Sequence, residues 1–174
     1  IINWTVDENQ DMIISRDLGK DGNVNVLKTR ASEFKSEVKL GNSKQQAAVG
    51  AFVHPQTGNI YYALYKDQSI YEYKFEDKTT NVIASHPRVK ETLRMVVHPT
   101  GKYAYLLRQY NERGNGYISR MDYNSTANQF TTPYIVAGSA SGSGYRDGVG
   151  SRVQMNGPTQ GVFVKNPEYA GEED

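Results

Sequence analysis

Val53-His54-Pro55-Gln56-Thr57-Gly58-Asn59-Ile60-Tyr61-Tyr62 returns as Val97-His98-Pro99-Thr100-Gly101-Lys102-Tyr103-Ala104-Tyr105. The spacing from Val53 to Val97 is 44 residues. A period of about 40–45 residues, built from strand-like pieces, marks the successive blades of a β-propeller. Each copy carries an apolar run, Val49–Val53 or Leu93–Val97, that leads into a turn containing Pro and Gly. Pro fixes its own φ, and Gly reaches the positive φ such turns often need. Ile60, Tyr62 and Leu64, and likewise Tyr103, Tyr105 and Leu107, then alternate with the period of two of a half-buried strand.

Working outward at this period predicts four strands per blade, A to D from inside to outside. Around the first copy they are Ala48–His54, Asn59–Lys66, Gln68–Glu76 and Thr79–Ser85. Around the second they are Thr92–His98, Lys102–Tyr110, Gly116–Asn124 and Gln129–Ala137. An earlier blade reads as Ile2–Val6, Asp11–Arg16, Asn23–Arg30 and Glu33–Leu40. After Ala137 comes a Gly/Ser run, Gly138 to Gly144, and then Gln160-Gly161-Val162-Phe163-Val164, which reads as one more innermost strand with Asn166-Pro167 as its turn. The expected fold is all-β: a β-propeller fragment of about three four-stranded blades plus the inner strand of a fourth, from a ring of about six. The blades fall at about 1–42, 43–87 and 88–138, with the start of the next at 139–174. A propeller closes only when its last blade meets its first, so the native protein is expected to be longer.

Composition narrows the function. The chain has 174 residues and a formal net charge of +1, with Lys and Arg scattered, so no strong field points to nucleic acid or to an acidic membrane. There is no Cys, which removes thiol chemistry and Cys-based metal sites. No apolar stretch approaches the ~20 residues of a membrane helix. Tyr is abundant, at 13 residues, and suits both pleated strands and flat contacts to sugars.

Val136, Ala137, Gly138, Tyr145, Asp147, Gly148, Gly150, Met155, Asn156, Pro158, Gly161, Val162 and Val164 carry a resemblance to the NHL repeat, covering about residues 134–166. A chain of this kind resembles the NHL propellers of gut-bacterial surface lipoproteins, in which an IPT/TIG immunoglobulin-like module often precedes the propeller. The resemblance implies a cell-surface or outer-membrane location, lipid-anchored through an N-terminal region, with a periplasmic location as second choice. It also implies genetic association with outer-membrane importers in polysaccharide utilisation. No IPT/TIG segment or lipobox is visible in these 174 residues.

Candidate chemistry is sparse. His54 and His98 hold the same place in two repeats, which favours a structural role donating to a backbone carbonyl, and neither has a second ligand at metal spacing. Asp147-Gly148 lacks the alternating carboxylates of a calcium loop, and Gly142-Ser143-Gly144 lacks the Lys-Ser/Thr of a phosphate loop. Asp7/Glu8, Glu76/Asp77 and Glu172/Glu173 read as solvated turns. No catalytic residue, metal site or cofactor is therefore expected.

The reading is a non-enzymatic binding or scaffold module, with a glycan or peptide ligand and an importer complex as partners. A propeller enzyme of lyase or lactonase type is the rival. Its channel ligands would have to lie beyond inner strands that offer Gln45, Gln46, Arg94 and Gln160. The B–C and D–A loops share one face of a propeller, and they include Lys66-Asp67, Arg88–Lys90, Tyr110–Asn115 and Tyr145–Asp147. Tyr110, Arg113, Tyr145 and Arg146 are the candidate ligand-binding residues, because Tyr stacks at low entropy cost and Arg makes forked hydrogen bonds.

Overall fold

The computed structural model describes residues 2–6, 12–17, 24–30, 33–40, 48–64, 67–74, 76–109, 116–139 and 144–164, with side chains from residue 51 onward, residue 109 excepted. Thirteen strands are present among the described residues, in three antiparallel sheets that follow one another along the chain. The first sheet holds β1 (Ile2–Val6), β2 (Met12–Asp17), β3 (Val24–Arg30) and β4 (Glu33–Leu40). The second holds β5 (Ala48–Val53), β6 (Ile60–Leu64), β7 (Ser69–Tyr73) and β8 (Thr80–Ser85). The third holds β9 (Thr92–Val97), β10 (Tyr103–Gln109), β11 (Gly116–Asn124), β12 (Gln129–Phe130) and β13 (Tyr134–Gly138). Each sheet is a meander in sequence order, and the whole is an all-β propeller fragment.

The second and third sheets share one register at the end where the motif turns. Val53 pairs with Ile60 and Phe52 with Tyr61; 44 residues later, Val97 pairs with Ala104 and Val96 with Tyr105. His54 N–H donates to the Asn59 carbonyl at 2.9 Å, and His98 N–H to the Tyr103 carbonyl at 2.9 Å. The recurring motif therefore repeats a hydrogen-bonding plan as well as a composition.

Two expected strands differ. The outermost strand of the third sheet, read as Gln129–Ala137, is cut into β12 and β13 at Thr131-Thr132-Pro133. Pro133 has no N–H to give to the ladder, and its carbonyl instead accepts the Arg88 Nη1–H at 2.7 Å. Residues 160–164, read as a further inner strand, form no ladder among the described residues. They still lie across the third sheet, where the Phe163 ring stacks on Tyr105 at 5.6 Å and meets His98 edge-on at 4.9 Å. The turn expected at Asn166-Pro167 lies outside the described residues.

The main core lies between the second and third sheets. Phe52, Tyr61, Ala63, Ile70 and Ile83 from one pack against Met95, Ala104, Leu106, Met121 and Phe130 from the other, with Val89 from the connector between them. Each fully buried large apolar side chain adds roughly 1.5–3 kcal/mol. The opposite face of the second sheet carries Ala51, Ile60, Tyr62, Leu64 and Tyr73, and β1 and β2 lie against β5 on the first-sheet side.

Candidate ligand-binding face

Of the four candidate residues, Tyr110 and Arg113 lie outside the described residues. Tyr145 and Arg146 open a small hairpin whose stem is the backbone pair Arg146–Gln154, closed by N–H to carbonyl bonds of 3.2 and 3.0 Å. The 3-10 turn Gly150–Arg152 makes its tip. Gly116 N–H donates to the Met155 carbonyl at 3.1 Å, so the hairpin is fastened to the first residue of β11. Tyr145 is 87 % exposed and Arg146 is exposed. The side chains available there are a flat ring and a guanidinium, suited to stacking and to forked hydrogen bonds rather than to proton transfer.

This fastening explains two glycines. A Cβ on Gly116 would lie 2.6 Å from Pro158 Cδ and 2.7 Å from the Gly157 nitrogen. Gly138 has φ +86°, and a Cβ there would meet the Gly116 carbonyl at 2.5 Å. The chain crosses itself backbone to backbone at this point, and only Gly allows the approach.

The connector between the second and third sheets is braced rather than free. His86 Nδ1 accepts the Arg88 N–H at 3.1 Å and caps the short turn Pro87–Val89. Arg88 is committed to the Pro133 carbonyl. Arg108 pairs with Glu91 at 2.8 Å and reaches the Tyr117 hydroxyl. Glu91 holds the left-handed φ of +63° that this brace requires. Lys90 is exposed.

On the opposite face lies a buried polar cluster that the sequence did not reveal. Glu72 is 1 % exposed. It accepts Asn59 Nδ2–H at 2.9 Å and Asn128 Nδ2–H at 2.9 Å, and it lies 3.0 Å from the Tyr61 hydroxyl. The Asn128 Oδ1 in turn accepts the Tyr123 O–H at 2.6 Å. Burial, above all, pushes the Tyr61 phenol well above its ordinary value. The one available signal was the alternation in β7, which puts Glu72 on the same side as the buried Ile70.

His54 sits beside this cluster, fully buried among Phe52, Tyr61, Tyr123 and Phe130. Its Nε2 lies 3.1 Å from the Gly101 carbonyl in the third sheet, and its Nδ1 accepts the Gln56 N–H at 3.3 Å. Those partners require a proton on Nε2 and none on Nδ1. Burial lowers its pKa, opposed by the Gly101 hydrogen bond and by the nearby Glu72 charge. The structural role expected of this His is the one observed.

A cleft of about 300 Å³ separates the third sheet from residues 158–163. It is lined by Val96, Tyr105, Leu107, Ile118, Val136 and Phe163, among others. Among the described residues, no three of His, Cys, Asp and Glu come together as metal ligands would, and no helix is long and apolar enough to cross a membrane.

The chain is similar to a protein from Bacteroides ovatus described as an "auxiliary nutrient binding protein", with 36% identity, TM-score 0.80, and 98% of this chain and 40% of that one covered. A Bacteroides thetaiotaomicron protein of the same description shares 32% identity, with TM-score 0.80 and coverage of 99% and 40%. A second Bacteroides thetaiotaomicron protein, described as a "Putative phosphatase", shares 29% identity, with TM-score 0.74 and coverage of 99% and 43%. The chain thus spans about two fifths of the length of these neighbours. No protein-family model and no curated protein matches the sequence.

Proposed function

We propose that this chain is part of the propeller of a non-enzymatic binding protein that serves nutrient acquisition outside the bacterial cytoplasm. One observation carries the reading: its likeness over nearly its whole length, at 36% identity, to a Bacteroides protein described as nutrient binding. The ligand is a glycan or peptide, held on the face of the B–C and D–A loops by Tyr110, Arg113, Tyr145 and Arg146. The exposure of Tyr145 and Arg146, in a hairpin fastened to Gly116 at the start of β11, supports that choice. The finer context belongs to the same proposal. It comprises an NHL-type propeller divided at about residues 42, 87 and 138, an IPT/TIG module ahead of it, a lipid anchor at the outer membrane and contact with an importer.

The test is calorimetric titration of the full-length protein against panels of oligosaccharides and peptides, alongside an assay for phosphate-monoester hydrolysis. Saturable binding without turnover is expected. Changing Tyr110 and Tyr145 together to Ala should weaken binding by roughly 1–3 kcal/mol while leaving the melting temperature nearly unchanged. Saturable turnover of a phosphate ester that is lost with a channel-lining substitution would overturn the reading. So would undiminished affinity in the double variant when Gln56 or Thr100 substitutions on the opposite face reduce it.

A further inference from the structure

We infer that Asn156 is a site of spontaneous conversion to aspartate and isoaspartate, and that the backbone bridge at Gly116 protects the same dipeptide at Asn115. The inference does not depend on the binding reading.

The sequence holds two Asn-Gly steps, Asn115-Gly116 and Asn156-Gly157. Gly has no Cβ to shield its backbone nitrogen, so in such a step that nitrogen can attack the side-chain amide carbon of the preceding Asn. The fold lays the two steps against each other, since a Cβ on Gly116 would lie 2.7 Å from the Gly157 nitrogen. It then treats the two nitrogens differently. The Gly116 N–H is held by the Met155 carbonyl at 3.1 Å, in a backbone bridge. Attack from that nitrogen has to give up a bond already made and turn the peptide out of the bridge. Among the described residues, no acceptor holds the Gly157 N–H and no partner holds the Asn156 amide. The chain bends at Asn156, which is exposed. Asn156 therefore has the rotational freedom and the access to water that the reaction needs.

The chemistry balances without a co-reactant other than water. Hydroxide takes the Gly157 N–H proton, and the nitrogen forms a bond to Asn156 Cγ. The Cγ–Nδ2 bond breaks, and ammonia leaves with a proton taken from water. The product is a five-membered succinimide. Water opens it at Cγ to give aspartate on an unchanged main chain, or at the Asn156 carbonyl carbon to give isoaspartate, whose main chain runs through Cβ and Cγ. Water enters, ammonia leaves, and nothing is oxidised. Either product adds a carboxylate. Isoaspartate also lengthens the main chain directly after Met155, the residue whose carbonyl fastens the hairpin, and beside Gly116, where the backbones leave no space.

The full-length protein, aged at mildly alkaline pH both natively and in denaturant and then cut with trypsin, tests this. Cleavage after Arg152 and Lys165, and after Arg113 and Arg120, leaves Asn156 and Asn115 each as the only Asn of its peptide. The mass gain of amide-to-acid conversion should accumulate at Asn156 at least tenfold faster than at Asn115 in the native protein, and at similar rates in denaturant. Labelling by an isoaspartyl methyltransferase should follow the Asn156 peptide. Equal native rates, no native conversion at Asn156, or a preference that persists in denaturant would overturn the inference. Hydrogen exchange at the Gly116 amide reads the consequence. It should quicken in aged protein and stay unchanged in Asn156→Gln aged alongside, because Gln closes a six-membered ring far more slowly. Unchanged exchange in aged, converted protein would sink the link between Asn156 and the hairpin's fastening.

Discussion

The two faces that the repeat presents to its successors are built alike but locked differently. Between the second and third sheets, the apolar layer is topped by a polar knot in which Glu72 holds Asn59 and Tyr61 of its own sheet and Asn128 across the seam. At the equivalent place in the third sheet, where Tyr105 pairs with Arg120 as Tyr61 pairs with Glu72, the charge is inverted. Arg120 lies 3.9 Å over the Tyr103 ring and pairs with Asp122 at 2.8 Å, within its own sheet. The apolar plan is thus copied from sheet to sheet, while the polar lock is specific to each seam. A buried polar group must find its partners or cost stability, and Glu72 finds one of them, Asn128, only in the third sheet.

The largest effect should come from the shared apolar plan. Tyr61→Ala should cost about 3–5 kcal/mol, in the range of large aromatic truncations in a core, whereas Tyr61→Phe should cost about 1 kcal/mol for its hydroxyl's bonds. Chemical denaturation measures both. A Phe variant as damaged as the Ala variant would mean that the knot, not the packing, holds the seam.

That division of labour also explains what could be read beforehand. The strands of the first three sheets were legible because apolar alternation and the Pro-Gly turn are local signals; β1, β4 and β11 start and end where the pattern puts them. Pro133 hid a strand break inside an otherwise strand-like run, since its effect depends on whether its N–H position faces a partner. The Glu72 knot was hidden for a stronger reason. Asn128 lies 56 residues away and meets Glu72 only through the packing of two sheets. Tyr145 could be picked as exposed from its Gly-rich surroundings, but its fastening through Met155 to Gly116 is a tertiary pairing with no sequence mark.

The lock itself should show as coupling. Asn128→Ala removes the donor to Glu72 Oε2 and the acceptor for Tyr123, and should cost roughly 1–3 kcal/mol. In a double-mutant cycle with Glu72→Ala the two losses should fall short of additive by at least about 0.5 kcal/mol. Additive losses would mean that the cross-seam contact contributes nothing of its own. On the other side of the third sheet, Gly116→Ala must push Pro158 and the Gly157 backbone aside. It should cost roughly 1–3 kcal/mol as a local overpacking and loosen the Tyr145–Arg146 hairpin. A Gly116→Ala protein that melts normally and binds its ligand normally would show that the hairpin does not depend on this crossing.

The smallest effect, and the most specific to the locked seam, is its response to acid. His54 gives its only ring proton to the Gly101 carbonyl and takes the Gln56 N–H on Nδ1, so a second proton displaces a bond that is already made. Its folded pKa is lowered, chiefly by burial. The unfolded chain therefore takes up a proton on this ring at higher pH than the folded one. The contribution to stability is fully present above the ordinary His value of about 6.5, and is lost as pH falls below it toward the lowered folded value. The groups facing the ring are Phe52 from β5, Tyr61 from β6, Glu72 from β7, Tyr123 from β11 and Phe130 from β12, and of these only Glu72 carries a charge that would welcome an imidazolium. Unfolding free energies at pH 7.5 and 5.5, compared between the parent and His54→Gln, isolate the ring from every other titrating group. The parent should lose more stability than the variant over that interval. Equal losses would show that the proton finds room at His54 without opening the seam, and that the Gly101 bond is not what fixes the ring's single protonation.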